Sequence, residues 1–260
     1  MKTNPVITLR DIQFQYNGSG LPVLKDFSLD ITAGSVTSIL GPNGSGKTTL
    51  LFIMLGMLIP QVGSVHFEGK PSAGFSRSAL SRLIGLVPQG ERAAFNFTVF
   101  EYVLMGRAPH LGTLSTPSSE DEIIARHSLE QAGLVHLQHR PVTALSSGER
   151  QLVTIARALA QQPRILLLDE PLTHLDLNNR SRVLALLRVL NQNGTTLVLT
   201  THDPNAAVSL ATHVVMMRSG ERIAAGRALD VLTAANLSVT YGLPIEITHV
   251  DGRPIILPPG

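Results

Sequence analysis

The 260-residue sequence contains no cysteine and no tryptophan, and aromatic residues make up only 4% of it. Without cysteine the chain has neither a disulfide framework nor a thiolate metal site, which is typical of proteins in a reducing compartment. Charged residues are also few, at 15%, and the net charge of +2 comes without a run of basic residues. The sequence therefore gives no indication of nucleic acid as a partner.

Long apolar runs are missing as well. The longest run, LLFIMLGMLIP at residues 50–60, is shorter than the roughly 20 residues that a membrane-spanning helix needs. We interpret it as a buried helix. The start, MKTNPVITLR, lacks the apolar stretch of a signal peptide. We therefore expect a soluble protein, for which docking on a membrane protein remains open.

Hydrophobic residues, at 43%, are arranged in short runs that alternate with helical patterns. The runs at 35–40, 164–170 and 195–203 are typical of parallel strands buried on both faces, and they lead into polar residues. Those residues would lie at the carboxyl edge of a sheet, where open α/β sheets bind ligands. Residues 7–16 and 23–31 alternate in polarity, which predicts an antiparallel sheet beside the parallel one. The fold class is therefore α/β.

Helical patterns dominate from about residue 90 to residue 160. They cover FTVFEYVLMGR (97–107), SEDEIIARHSLEQAG (119–133) and LSSGERQLVTIARAL (145–159). A loop rich in proline, glycine and serine (108–119) separates the first two. We expect a helical subdomain inserted into a sheet domain that spans residues 5–236.

The tail from 237 to 260 is expected to be a short C-terminal extension. Its segments LPIEITHV (243–250) and RPIILPPG (253–260) are predicted to be strands.

The stretch GPNGSGKTTL fits the pattern G-x-x-x-x-G-K-[ST] and lies between a predicted strand and a predicted helix. Glycines let the backbone curl so that several N–H groups face one point, which forms a nest for phosphate at a helix start. Lys47, one of only four lysines, would reach the β- and γ-phosphates, and Thr48 would bind Mg²⁺. We therefore predict that ATP and Mg²⁺ bind at Gly41, Pro42, Asn43, Gly44, Ser45, Gly46, Lys47, Thr48 and Thr49.

A Mg-nucleotide site needs carboxylates, and the sequence ILLLDEP supplies two of them after a buried strand. Asp169 is predicted to hold Mg²⁺, directly or through water. Glu170 could orient or deprotonate a water for attack on the γ-phosphate. His202 follows another buried run and would meet the same sheet edge, although a lone histidine can equally be structural.

With these residues in place, LSSGERQ (145–151) resembles the signature motif of ABC-type ATPases, and the other motifs of that family follow in order over residues 5–240. The resemblance implies that Tyr16 stacks on adenine and that Gln89 senses the γ-phosphate and Mg²⁺. It implies that Asp176 touches a partner subunit and that His202 is the switch histidine. It also identifies residues 41–48 as the Walker A loop and Asp169 with Glu170 as the Walker B pair.

The resemblance further implies two subunits paired head to tail, in which the signature of one caps the ATP held by the other. The helix start after Ser146, Ser147 and Gly148 would offer N–H groups and a positive dipole to the γ-phosphate. One chain carries one copy of each motif, so we expect a homodimer with two shared sites. The signature departs from the family in Ser147, usually glycine, and in Glu149, usually glutamine. Glu149 is expected to point away or to pair with an arginine such as Arg150.

Two further stretches, 98–122 and 223–247, resemble ATPase subunits of importers for iron–siderophore complexes, haem and cobalamin. This implies a peripheral subunit on the cytoplasmic face of the bacterial inner membrane, bound to integral-membrane permease subunits. A periplasmic or lipoprotein substrate-binding protein would take part indirectly. The region after Gln89 would receive a permease helix, and the apolar side chains there are Phe95, Phe97 and Phe100. The same residues could instead form subdomain core.

Other functions remain alternatives at this point. They are an importer or exporter for another substrate, a soluble ABC ATPase outside transport, and a nucleotide-binding regulator without turnover. Glu170 argues against the regulator, since a carboxylate there serves hydrolysis. His136 and His139 lie three residues apart without a matched third ligand, so we expect solvent-facing histidines rather than a metal site.

Overall fold

The computed structural model describes residues 5–18, 20–91, 95–112, 115–250 and 253–257. Its strands are, in chain order, β1 (Pro5–Phe14), β2 (Leu24–Thr32), β3 (Val36–Leu40), β4 (Val62–Phe67), β5 (Lys70–Pro71), β6 (Ile84–Val87), β7 (Ile165–Leu168), β8 (Thr196–Thr201), β9 (His213–Arg218), β10 (Glu221–Arg227), β11 (Glu246–Val250) and β12 (Arg253–Leu257). Its α-helices are α1 (Lys47–Met54), α2 (Arg77–Leu83), α3 (Val99–Leu104), α4 (Ser119–Gln131), α5 (Ser147–Ala160), α6 (Leu177–Gln192), α7 (Pro204–Leu210), α8 (Ala228–Val231) and α9 (Ala234–Tyr241). The chain divides into two compact units, one formed by Met1–Phe75 with Thr196–Gly260 and the other by Ser76–Thr195.

Parallel strands form the centre of the first unit. Strand β3 lies between β8 and β9 and pairs in parallel with both, and β10 pairs antiparallel with β9. Every residue of β3 and of β8 is buried. This pairing and burial confirm the prediction that the runs at 35–40 and 195–203 are parallel strands buried on both faces.

An antiparallel sheet of order β2-β1-β4-β5 belongs to the same unit. Its strands β1 and β2 correspond to the two segments whose polarity alternates. Large apolar side chains on one face, such as Phe27 and Phe67, are fully buried. The sequence prediction of an antiparallel sheet near the N-terminus is thus confirmed.

The second unit combines the parallel pair β6 and β7 with helices. Helix α5 packs against α3 and α4. Each of these helices starts with a capping box, in which an N-cap hydroxyl and an acidic residue three positions later satisfy backbone N–H groups. The pairs are Thr98 with Glu101, Ser118 with Asp121, and Ser146 with Glu149.

The first predicted helix of this region is shorter than expected. Helix α3 ends at Leu104 and continues as a 3₁₀ turn over Met105–His110. Gly106 lies so close to α5 that a Cβ there would clash with the carbonyl of Arg157. The tight turn also lets Arg107 pair with Asp121 at 2.8 Å, with both side chains buried. In the loop predicted at 108–119, residues 113 and 114 lie outside the described residues.

The apolar run at 50–60 is only partly a buried helix, which corrects the sequence interpretation. Helix α1 stops at Met54, and Gly56 follows with a φ of 74°. Beyond it the side chains of Met57 and Ile59 are 65% and 85% exposed. Within the described part of the chain, no helix is long and apolar enough to cross a membrane.

The described C-terminal residues are part of the first unit and pack on its parallel strands. Strands β11 and β12 lie within the two tail segments predicted to be strands, and they pair antiparallel as a hairpin. Residues 251–252 and 258–260 lie outside the described part. Leu237, Ile245 and Ile256 are buried in one apolar cluster with Leu40 and Met216. The expected domain boundary at 236/237 falls inside α9.

Candidate functional site

The glycine-rich loop connects β3 to α1 in the first unit. Gly46 is the N-cap of α1 with a φ of 99°, a conformation that side chains with a Cβ rarely adopt. At position 41 glycine is required for a steric reason instead, because a Cβ there would clash with the carbonyl oxygen of Met217. Glycine is thus required at two positions of the loop before α1, as is typical of loops whose backbone N–H groups form an anion nest at a helix start.

Polar side chains of this loop fit a phosphate ligand. The ammonium Nζ of Lys47, a side chain only 5% exposed, donates to the carbonyls of Gly41 at 2.9 Å and Pro42 at 3.1 Å. Ser45 is 2% exposed, and among the described residues its hydroxyl has no hydrogen-bond partner. A buried hydroxyl without a partner is costly unless a ligand takes the bond. Thr48 is exposed at the start of α1, and a threonine hydroxyl is an oxygen ligand of the kind that Mg²⁺ accepts.

Tyr16 and His202 lie in the same unit as the loop. The hydroxyl of Tyr16 is 3.2 Å from that of Thr49 in α1, and its ring meets Phe14 edge-on. His202 directly follows β8, whose last residue Thr201 pairs with Leu40, and the Gly41 N–H donates to the Thr201 carbonyl at 3.3 Å. The histidine and the loop therefore leave the same carboxyl edge of adjacent parallel strands.

In the second unit, Gln89 and the two carboxylates follow the ends of paired strands. Val87 pairs with Leu168, and the Asp169 N–H donates to the Val87 carbonyl at 2.9 Å. Asp169 is 5% exposed. This pairing places Gln89, Asp169 and Glu170 at one sheet edge.

Two side chains hold Glu170. Its Oε2 accepts a hydrogen bond from Gln89 Nε2 at 3.2 Å and another from the Thr173 hydroxyl at 3.0 Å. The backbone of Glu170 has a φ of 47°, in the left-handed region that is unfavourable for a residue with a side chain. Strain of this kind persists where surrounding contacts fix a functional group. Thr173 was not predicted from the sequence, and its only signal is its place three residues after Glu170.

The signature region starts helix α5, with Ser146 as N-cap. The Ser146 hydroxyl accepts from the Glu149 N–H at 3.2 Å, and the Glu149 carboxylate accepts from the Ser146 N–H at 2.8 Å. Hydrogen bonds from the Ser146 backbone and side chain to the carboxylate lower the pKa of Glu149. Of the two alternatives expected for Glu149, pointing away or pairing with an arginine such as Arg150, the second is not what the structure shows for Arg150, which donates to the Leu145 carbonyl at 3.1 Å. Glu149 closes a capping box, and the N–H groups of Ser147 and Gly148 in the first turn have no partner within the helix.

Asp176 is linked to the signature through one side chain. As N-cap of α6, Asp176 accepts from the Asn179 N–H at 2.7 Å and from Asn179 Nδ2 at 3.1 Å. A Cβ on Gly148 would clash with the Asn179 side chain, so the two residues are in direct contact. Asn179 thus joins Asp176 to the signature glycine, and sequence reasoning did not identify it.

Comparison with known proteins gives the family. The ABC transporter family model matches residues 24–173. The hemin import ATP-binding protein HmuV of Rhodococcus jostii is 35% identical over 255 residues, which cover 97% of this chain and 86% of that protein. The molybdate import ATP-binding protein MolC of Haemophilus influenzae is 35% identical over 243 residues, which cover 93% and 90%.

A solved structure agrees with the sequence matches. It is described as a metal-chelate type ABC transporter in an inward-facing conformation, and it is 32% identical with a TM-score of 0.86. The match covers 99% of this chain and 98% of that chain. Since the family model, the relatives and the fold agree with the order of the motifs, this chain belongs to the ABC transporter family and is one of its ATP-binding proteins.

Proposed function

We propose that the chain is the ATP-hydrolysing subunit of a bacterial ABC importer for a metal chelate of the iron–siderophore, haem or cobalamin type. The observation that carries the enzymatic part is the Glu170 carboxylate, held by Gln89 and Thr173. A carboxylate fixed by two hydrogen bonds can orient and deprotonate a water. A regulator without turnover has no use for such an arrangement.

Residues of the loop at 41–49 bind the triphosphate. Lys47 neutralises charge on the β- and γ-phosphates, while Ser45 and the backbone N–H groups donate hydrogen bonds. Mg²⁺ supplies charge neutralisation on the same phosphates, and Thr48, Asp169 and Gln89 are the residues proposed to hold it. Tyr16 provides the ring for adenine.

Glu170 acts as general base, and His202 donates a hydrogen bond toward the γ-phosphate. Each of these two roles can be tested by replacing the residue and measuring ATP hydrolysis.

A homodimer completes the active sites. Helix α5 presents N–H groups of Ser147 and Gly148 and the positive end of its dipole to the γ-phosphate bound by a second copy. Asp176, near the same helix start through Asn179, faces that copy too. Because each chain has one nucleotide loop and one signature, a two-fold pair yields two complete sites.

The permease is proposed to dock on the segment after Gln89, inside a helical subdomain that spans about 90–160 within the ATPase domain 5–236. Phe95 is 69% exposed and meets Phe97 edge-on at 5.8 Å, so it offers apolar surface. Phe100 is less suited, because the Arg126 guanidinium lies 4.5 Å from its ring. Residues 92–94 lie outside the described part of the chain.

Docking of this kind makes the subunit peripheral on the cytoplasmic face of the membrane. A substrate-binding protein is reached only through the permease.

Metal-chelate import is supported by the hemin relative and by the chelate-type structure. The molybdate relative, at the same identity, favours the alternative of an importer for another substrate. The proposed 237–260 extension begins inside the stretch 223–247 that resembles the chelate importers, and its residues Leu237, Ile245 and Ile256 are buried in the apolar cluster of the first unit.

Affinity capture from native membranes tests this assignment. The bait is Glu170→Gln with ATP, which holds the nucleotide-bound state, and retained proteins are identified by mass spectrometry. A matched control, Glu170→Gln with Lys47→Ala, cannot bind ATP and should lose any ATP-dependent partner. Recovery of a polytopic permease supports the importer, and its type narrows the substrate. Recovery of soluble partners or nucleic acid alone leaves the ATPase standing and overturns the transport role.

A further inference from the structure

A hydrogen bond from helix α9, in the C-terminal part of the chain, fixes the segment that carries His202. The hydroxyl of Tyr241, the last residue of α9, donates a hydrogen bond to the backbone carbonyl of His202 at 2.7 Å. The His202 side chain itself is exposed. The contact therefore fixes the main chain of this residue and does not involve its imidazole.

A second contact holds the same segment three residues later. The Asn205 side chain donates from Nδ2 to the Ile256 carbonyl at 3.0 Å and accepts from the Ile256 N–H at 2.9 Å. This two-way bond ties the start of α7 to strand β12. Both ends of the segment 202–205 are therefore hydrogen-bonded to residues that lie some 40 to 50 positions later in the chain.

The elements that make these bonds are themselves anchored in the apolar cluster. Leu237 of α9 and Ile256 of β12 are buried there with Leu40, the last residue before the nucleotide loop. Arg218 also donates to the Val239 carbonyl of α9 at 2.6 Å. Helix α9 and the hairpin therefore have a fixed position against β3 and β9, and the bonds from Tyr241 and Asn205 transmit that position to His202.

Tyr241 stays a hydrogen-bond donor across the physiological range. Burial raises the pKa of its phenol, and the negative charge of Asp203 raises it further. An ionised phenol could not donate to a carbonyl.

We propose that Tyr241 is a positioning residue for His202, and that helix α9 with strands β11 and β12 sets the geometry of the switch histidine. The inference rests on the proposed function of His202 in ATP hydrolysis. Nucleotide binding uses the loop at 41–49 and not this contact. Loss of the contact should therefore reduce the rate of the chemical step and leave the affinity for ATP intact.

The test compares Tyr241→Phe with Thr240→Val in the full-length protein. Tyr241→Phe removes only the donated hydroxyl. Thr240→Val removes a hydroxyl of the same helix, which bonds the Asn236 carbonyl at 2.7 Å, and leaves the bond to His202 in place. We expect Tyr241→Phe to lower kcat about fivefold to tenfold at unchanged KM for ATP, since one hydrogen bond is lost. Thr240→Val should lower Tm without changing kcat.

A second variant and a spectroscopic signal complete the experiment. Asn205→Ala removes both bonds to Ile256 and should reduce kcat in the same direction. The ¹H–¹³C signal of the His202 imidazole, assigned by its loss in His202→Ala, should shift or broaden in Tyr241→Phe and stay unchanged in Thr240→Val.

The outcomes separate this inference from the function on which it rests. If His202→Ala abolishes hydrolysis while Tyr241→Phe keeps full kcat and an unchanged imidazole signal, the positioning role is overturned and the ATPase assignment stands. Equal losses of kcat in Tyr241→Phe and Thr240→Val also overturn it, because general destabilisation then explains both. If His202→Ala hydrolyses ATP normally, the role of His202 fails and the positioning role fails with it.

Discussion

The side-chain amide of Gln89 donates a hydrogen bond to the carboxylate of Glu170 at 3.2 Å. Both residues follow the ends of paired parallel strands, so the backbone pairing of Val87 with Leu168 brings them together. The same carboxylate oxygen accepts from Thr173. A residue assigned to sense Mg²⁺ and the γ-phosphate thus contacts the proposed general base directly. Movement of Gln89 on nucleotide binding would change the hydrogen bonding of Glu170.

Replacement of Glu170 by glutamine is the first prediction. The amide keeps the size of the side chain but cannot accept a proton, so phosphate release should fall by roughly 10²- to 10⁴-fold. Binding of an ATP analogue should be retained, because the phosphate loop is unaltered. Steady-state phosphate release and analogue titration measure the two effects. Hydrolysis at the wild-type rate would remove Glu170 from the general-base role.

Replacement of Ser146 by arginine tests the capping of ATP by the signature. A bulky cation at the N-cap of α5 should abolish hydrolysis, since the signature can no longer approach the γ-phosphate bound by the second copy, and nucleotide binding should persist. Ser118→Arg is the matched control, because Ser118 is the N-cap of a similar capping box on α4. Both variants lose a cap of about 1 kcal/mol. Persistent hydrolysis in Ser146→Arg, or an equal loss in Ser118→Arg, contradicts the capping hypothesis.

Much of this site is readable from the sequence because its signals are local. The strands at 36–40, 165–168 and 196–201 are continuous buried runs, and polar residues follow closely after each of them. The conformation of a glycine-rich loop before a helix can likewise be predicted from the local sequence. The apolar run at 50–60 is misleading, since Gly56 ends the helix and turns apolar side chains to the surface.

The contacts that sequence reasoning missed join residues far apart. Tyr241 contacts His202 only because α9 packs on the sheet. No spacing in the sequence predicts a hydrogen bond from a side chain to a distant backbone carbonyl. Asn179 touches Gly148 through the packing of α6 and α5. Glu149 is the exception, because a serine followed three residues later by a glutamate before an apolar helix is a readable capping box.

The buried pair of Arg107 and Asp121 predicts a dependence of stability on pH. The Arg107 guanidinium, with help from the Ser118 N–H and hydroxyl, lowers the pKa of Asp121 from 3.8 to about 2. A carboxylate whose pKa is lower in the folded state than in the unfolded state stabilises the fold at any pH above its unfolded-state pKa. This contribution is lost as the pH falls from about 4 to about 2.

Asp121→Asn should therefore lower the free energy of unfolding at pH 7, and its difference from wild type should shrink on acidification through this window. Glu122→Gln is the control, since Glu122 is on the same helix but half exposed and 3.9 Å from Arg126. Denaturant unfolding of the three proteins between pH 2 and pH 7 gives the result. A difference for Asp121→Asn that is as large at pH 2 as at pH 7 contradicts the assigned ion pair.

A methyl group on Gly148 tests the contact between the signature and Asn179. In Gly148→Ala the new Cβ would overlap the Asn179 side chain, so either α5 or α6 must shift at its start. Overpacking of this kind costs about 1–3 kcal/mol, and the shift should impair the N-terminus of α5 that caps ATP. We expect a loss of hydrolysis with retained nucleotide binding.

The double variant Gly148→Ala with Asn179→Gly removes the obstructing side chain and should recover part of the hydrolysis. Recovery is informative because Asn179→Gly alone weakens the start of α6 and loses the bond to Asp176 Oδ2. If the double variant is no more active than Gly148→Ala, steric contact with Asn179 is not what makes glycine necessary at this position.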